Sequence, residues 1–283
     1  MQVAIASGKG GTGKTTLATN LAELAAARDI NTTYVDCDVE EPNGHLFLHP
    51  TIVESEAITR RFPQVDPERC KNCRACERIC QYSAIVCVGE KPLVFFDLCH
   101  SCGGCALVCP ENAIAEVARP IGTVRRGYRG ALQFVDGTLE VGQSISPPAI
   151  RRVKAVAPQT ELMILDAPPG TTCPVVETVR DADYVLLVTE PTPFGLQDLK
   201  LAIEMLHVLK RPAGVVINRC DLGHDEVRAY CAARHIPILA EIPNDRTVAE
   251  TYAQGNLAVH AIDAYRDRLE ALLDSLLETA VAQ

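Results

Sequence analysis

The chain has 283 residues, 47% of them hydrophobic, and a formal net charge of −9. That is enough apolar material for one large and one small domain, and the acidic balance argues against a nucleic-acid or anionic-membrane footprint, which needs clustered Lys and Arg. With no leader-like start and no apolar run near the ~18–20 residues of a membrane span, a cytoplasmic location is expected, and the thirteen cysteines read as metal ligands or buried thiols, not disulfides.

Residues 3–6 form an apolar run that reads as a buried strand, and residues 15–28 show a helical pattern. Between them, Gly8-Lys9-Gly10-Gly11-Thr12-Gly13-Lys14-Thr15-Thr16 fits G-x-x-x-x-G-K-[ST], a phosphate-binding loop. Its glycines let consecutive N–H groups converge on one anion, and the start of the helix adds its positive end. Lys14 would reach the outer phosphates and the Thr15 hydroxyl would sit on Mg²⁺. Lys9 stands where the general motif makes no demand. Next, Thr32-Thr33-Tyr34-Val35 reads as a second strand, with Asp36 and Asp38 at its carboxyl end, where ligands of open α/β sheets collect. Cys37 points the other way, into the core.

The pattern then breaks. Cys70-x₂-Cys73-x₂-Cys76-x₃-Cys80 recurs 29 residues later as Cys99-x₂-Cys102-x₂-Cys105-x₃-Cys109, and Ala84-Ile85 recurs as Ala113-Ile114. A tetrahedral zinc site usually takes two separated pairs, which these runs are not. Gln81 stands where the second run has Pro110, and Gly103-Gly104 would let backbone approach sulfur closely. Beyond Pro120, Leu132-Gln133-Phe134-Val135 and Leu139-Glu140-Val141, separated by Asp136-Gly137-Thr138, suggest a hairpin or paired edge strands. Arg125, Arg126 and Arg129 read as a solvated junction, with an acidic partner as the alternative. Leu162-Met163-Ile164-Leu165 is a further strand running into Asp166-Ala167-Pro168-Pro169-Gly170-Thr171, with Cys173 just beyond. Residues 185–188 and 215–217 are strands and 196–209 a helix, with Asn218 after the last strand and the turn-like Ile242-Pro243-Asn244-Asp245 later. Cys87, Cys220 and Cys231 have no motif and read as structural thiols. A final helix over 261–281 has an apolar face including Leu269, Leu273 and Leu276; its acidic opposite face favours packing on the sheet over lying on a membrane.

The run Lys9-Gly10-Gly11-Thr12-Gly13-Lys14-Thr15-Thr16 resembles the deviant phosphate loop of the MinD/ParA/Mrp ATPases, a family that includes the nitrogenase iron protein. The resemblance implies ATP as ligand and an ATP-dependent homodimer in which Lys9 crosses to the partner's nucleotide. It implies that Asp36 helps to organise Mg²⁺, Asp38 orients the attacking water, Asp166 holds Mg²⁺ through water and Gly170 lies near the γ-phosphate. Lys9, Lys14 and Asp38 are then the catalytic candidates. Asn218 would contact adenine, and the loop around Pro243 would close over the base. Cys173 sits at the offset of a cysteine that bridges subunits in the iron protein; the second bridging cysteine has no counterpart, and a structural thiol is the simpler account.

The cysteine repeat resembles a bacterial two-cluster ferredoxin, in which the fourth cysteine of each run serves the other cluster. Carried over, Cys70, Cys73, Cys76 and Cys109 would hold one [4Fe–4S] cluster, and Cys99, Cys102, Cys105 and Cys80 the second. The fold expected is α/β, a mostly parallel P-loop NTPase sheet with an inserted small α+β ferredoxin-like domain. Its boundaries would be 1–61 and 119–283 for the ATPase and 62–118 for the insert. The function implied is an ATPase coupled to electron transfer towards a redox partner; ATP-dependent delivery of an iron–sulfur or metal cofactor to an acceptor protein is the alternative.

Overall fold

A computed structural model describes residues 1–89 and 91–281. In chain order the elements are β1 (Gln2–Ala6), α1 (Lys14–Ala27), β2 (Thr32–Asp36), α2 (His45–Leu48), β3 (Thr51–Val65), α3 (Ala75–Ile79), β4 (Ile85–Val88) and β5 (Lys91–Val94). After a 3₁₀ turn (Phe96–Leu98) come α4 (Gly104–Leu107), β6 (Ile114–Arg129), β7 (Leu132–Leu139), α5 (Pro147–Val156), β8 (Leu162–Asp166), α6 (Cys173–Val179) and β9 (Tyr184–Thr189). The chain ends with α7 (Pro193–Leu209), β10 (Ala213–Asn218), α8 (Glu226–Ala233), β11 (Ile238–Ile242), α9 (Arg246–Ala253), α10 (Ala258–Ala261) and α11 (Asp263–Val281). Two compact units result: Met1–Ser55, Val124–Thr138 and Ile150–Gln283 form the first, Glu56–Thr123 and Leu139–Ala149 the second. The second takes in more chain than the cysteine repeat marks.

The strands follow the order β11-β10-β9-β1-β8-β2-β7-β6-β3, and those from β11 to β7 pair in parallel. In the first unit these strands are nearly continuous apolar runs, as burial on both faces requires. One face is covered by α1 and α11, whose Leu17, Leu21, Leu269 and Leu272 join Phe134, Ile164 and Leu186 in a single core. Tyr34 stacks on Phe134 there, ring centroids 5.8 Å apart. The terminal helix therefore packs on the sheet. It begins at Asp263 instead of about 261, because Ile262 is extended and separates it from α10. Helix α7 starts three residues earlier than the apolar pattern suggests. Pro193 pre-sets its first turn, and the Thr192 hydroxyl caps it by accepting from Gly195 N at 3.0 Å.

Two expectations are corrected here. Residues 132–141 do not form a hairpin about Asp136-Gly137-Thr138; Leu132–Leu139 run on as β7, and the turn falls instead at Gly130, φ +54°, and Ala131. Buried Asp136 keeps the chain extended, since its carboxylate receives two hydrogen bonds from Arg125. Nor are the three arginines a solvated junction: Arg126 pairs with Glu54, and Arg129 bonds Glu23 and the carbonyl of Leu48.

Within the second unit the repeat in sequence is a repeat in backbone. Left-handed residues recur at the 29-residue offset: Asn72 with Ser101, Arg74 with Gly103, Ser83 with Asn112. Helices α3 and α4 correspond, and each run closes with the same N–H to sulfur bond, Ala84 N to Cys80 Sγ and Ala113 N to Cys109 Sγ, both 3.3 Å. Two further bonds exchange halves, Asp66 N to Ala113 O and Phe95 N to Ala84 O, as an internal two-fold axis demands.

Candidate functional site

The loop between β1 and α1 is shaped by two glycines in the left-handed region, Gly11 (φ +78°) and Gly13 (φ +93°), the latter directly before the first helical residue, Lys14. A Cβ on Gly13 would lie 2.6 Å from Asn218 Nδ2, whose own hydrogen bond goes to Thr12 O at 2.8 Å. Gly8 is required by close approach, since a Cβ there would lie 2.5–2.7 Å from Asp198 atoms, two of them backbone. Thr12 Oγ1 is buried with no hydrogen-bond partner among the described residues. The free helix start, the paired glycines and this unmet hydroxyl fit a phosphate chain.

Three aspartates lie on three adjacent strands in one register, Asp136 beside Asp36 and Asp36 beside Asp166; Asp36 and Asp166 end their strands, whereas β7 runs on past Asp136. Their roles separate by partner. Asp136 is neutralised by Arg125. Asp36 spends its acceptors on the following loop, taking N–H groups of Asp38 (3.1 Å), Asn43 (3.2 Å) and Gly44 (2.9 Å). Asp166 accepts from Tyr34 Oη at 2.9 Å, while its Oδ1 is buried without a partner among the described residues. That oxygen, with Thr15 close enough to lower the affinity of the same carboxyl for its proton, fits a hydrated magnesium ion. Burial raises Asp36 and Asp166 above the usual carboxylate range; their mutual repulsion adds to this at Asp36, and Lys14 opposes it at Asp166.

Lys9, instead of extending free, pairs with Glu190 of its own chain at 3.0 Å, and Glu190 also holds Arg219. Beyond the loop a cavity is lined by Thr16, Leu17, Asn218, Pro243, Asn244 and Tyr252, among others. Asn218 and the Pro243 loop, far apart in sequence, thus meet on one wall. Gly170, φ +97°, is tied to β1 by its N–H to Ser7 O at 3.0 Å.

A profile of the CobQ/CobB/MinD/ParA nucleotide-binding domain matches residues 3–259. The chain belongs to this family. It is similar to two uncharacterised proteins of Methanocaldococcus jannaschii. One is 36% identical over 222 residues, covering 77% of this chain and 78% of that protein; the other is 30% identical over 258 residues, covering 90% of each. Among solved structures it resembles the septum site-determining protein MinD of Pyrococcus horikoshii complexed with Mg-ADP, with a TM-score of 0.62 at 18% identity, covering 99% of this chain and 96% of that one.

The family match spans both units, and the cysteines lie mainly in the second. Cys80, Cys99, Cys102 and Cys105 line one cavity, with Gly103, Gly104 and Glu116. Cys70, Cys73, Cys76 and Cys109 line another, joined by Cys87. Among the described residues no three His, Cys, Asp or Glu side chains are gathered closely enough for a single metal ion. Burial pushes the Cys76 thiol up to about 12, with Cys87 the next contributor. Cys87 is therefore not an isolated structural thiol. Cys173, at the start of α6, is exposed, whereas Cys37 and Cys231 are buried.

The aspartate missed by the sequence reading is Asp136. Val35-Asp36, Leu165-Asp166 and Val135-Asp136 share one signature, an apolar run followed by aspartate, and that pattern could have found it.

Asp38 gives the site a pH dependence. Burial, opposed by Lys14, raises its carboxyl to about 6. A raised acid favours the folded state most below the unfolded value near 4, and this contribution is lost as pH climbs through 6. After allowance for water at the half-open carboxylate, the difference is about 1–2 kcal/mol, a few degrees in Tm. Asp38→Asn should therefore raise the Tm of the nucleotide-free protein more at pH 8 than at pH 5, measured by calorimetry. Parallel pH profiles for variant and wild type would show that Asp38 carries no such burden.

Proposed function

We propose that this protein is an ATPase in which ATP binding and hydrolysis, through a nucleotide-dependent homodimer, control electron transfer through two [4Fe–4S] clusters held by an inserted ferredoxin-like segment, residues 62–118. The observation that carries the reading is the partition of eight cysteines between two cavities. Each cavity takes three cysteines from one run and the fourth from the other, as the ferredoxin resemblance requires. Each iron of a cubane takes its own thiolate, so such ligands stand farther apart than those of one ion. Backbone N–H groups of Ala84, Ser101 and Ala113 bond Cys80, Cys99 and Cys109 sulfurs at 3.3–3.4 Å and would stabilise thiolate charge. When bound, the clusters would supply one-electron transfer.

On the nucleotide side, Lys14 binds the outer phosphates, Thr15 and Asp166 hold Mg²⁺, Asp36 fixes the loop that carries Asp38, and Asp38 positions the attacking water. Asn218 and the Pro243 loop hold the base. Lys9 leaves Glu190 to reach the partner's nucleotide when two copies meet.

The test is an anaerobic redox titration of the reconstituted chain, followed by EPR, with ADP and then with a non-hydrolysable ATP analogue. Coupling energies between sites of about 1–3 kcal/mol correspond to potential shifts of about 40–130 mV for a one-electron couple. A shift of that size supports the reading. Two clusters with no shift favour cofactor delivery instead, and no clusters overturn the iron–sulfur assignment.

A further inference from the structure

The two cysteine cavities correspond by the internal repeat, and among the positions at which their linings differ one changes a sulfur donor. Cys87 lines the cavity of Cys70, Cys73, Cys76 and Cys109. The residue at the 29-residue offset from it is Glu116, which lines the cavity of Cys80, Cys99, Cys102 and Cys105. So one site has five thiols, while its twin has four thiols and a carboxylate. Cys87 stands on β4 in the same buried cluster as Cys76, and both line the one cavity. The Cys87 backbone N–H is pinned by Glu77 Oε1 at 3.1 Å, from the same helix, α3, that carries Cys76. Helix and strand are thereby locked with the two sulfurs adjacent. Four thiolates complete a [4Fe–4S] cluster, so the fifth is surplus, and sulfur is the donor such iron prefers over oxygen.

We infer that Cys87 is a reserve ligand of the first cluster site, able to take the iron corner that Cys76 would otherwise occupy. This rests on the two-cluster reading above. In the exchange Cys87 gives its thiol proton to water and its thiolate would bond the iron, while the ligand holding that corner, the Cys76 sulfur or the water that replaces it when Cys76 is lost, leaves; no electrons move. Glu116 offers only oxygen at the matching place, so the second site has no such reserve. The first site then survives loss of its buried α3 cysteine, by mutation or oxidation, whereas the second does not.

The test compares full-length Cys76→Ala, Cys87→Ala, Cys76→Ala/Cys87→Ala and Cys105→Ala, the last removing the ligand that corresponds to Cys76. Each is reconstituted anaerobically with iron and sulfide and read by iron and acid-labile sulfide content and by EPR of the reduced protein. Alanine is used because serine could itself ligate. Cys76→Ala and Cys87→Ala should each keep the full iron content, whereas the double variant and Cys105→Ala should each lose half. If Cys76→Ala loses as much iron as the double variant, the inference is overturned although the two-cluster reading stands. A wild-type chain that takes up no clusters would end that reading itself. Should Cys76→Ala fail to fold, as seen by circular dichroism, Glu116→Cys placed in Cys105→Ala decides the matter. Recovery of the second cluster supports a serviceable fifth position, and no recovery overturns it.

Discussion

Lys14→Ala should abolish ATP turnover, with a loss of at least ~100-fold, on the scale of removing one fixed charge-stabilising donor from an active site. Lys14 opens α1 and is only 8% exposed, so its ammonium stands where no solvent cation can easily replace it. It also lowers the carboxyl affinities of Asp38 and Asp166, the two acids given the water and magnesium roles. Its removal takes a positive charge from the outer phosphates and leaves those carboxyls further raised. Nucleotide affinity, read by calorimetry, should fall with turnover, and the nucleotide-free variant should lose more stability at pH 8 than at pH 5. Cluster content should be unchanged, because the cysteine cavities draw no residue from this loop. A variant that turns over ATP at a rate near that of the wild type would remove Lys14 from the site.

The parts of this fold that could be read in sequence are those in which one local rule dominates. Residues 8–16 announce a phosphate loop, because only glycine suits the positive φ of Gly11 and Gly13. Strands buried on both faces, such as Val185-Leu186-Leu187-Val188, announce a parallel sheet. What was hidden depends on partners remote in sequence. Asp136-Gly137-Thr138 has turn chemistry, and only Arg125, from the strand before, makes an extended buried aspartate stable there. Glu190 gives no sign in sequence that it holds Lys9 and Arg219 together. Cys87 lacks a motif because its meaning lies in space, beside Cys76 and opposite the twin position of Glu116. Asn218 and Pro243 are suggested by resemblance alone, and no local pattern announces that they line one cavity.

Cys80→Ala and Cys99→Ala should cost the protein the same cluster, although the two residues lie in different runs. The argument rests on the crossing of the repeat. Cys80 ends the first run, yet it lines the cavity of Cys99, Cys102 and Cys105, while Cys109, ending the second, lines that of Cys70, Cys73 and Cys76. The exchanged bonds Asp66 N to Ala113 O and Phe95 N to Ala84 O set each run end beside the other run's beginning, so the crossing belongs to the backbone and does not depend on a choice of rotamer. Reduced EPR spectra of Cys80→Ala and Cys99→Ala should therefore leave one identical residual signal, and Cys109→Ala and Cys70→Ala should leave the other. Combining Cys80→Ala with Cys99→Ala should remove no more iron than either change alone, whereas combining Cys80→Ala with Cys70→Ala should remove nearly all of it. Such non-additivity is expected of groups that serve one site. If Cys80→Ala instead matches Cys70→Ala, each run closes its own cluster and the crossing is wrong, even with both clusters present.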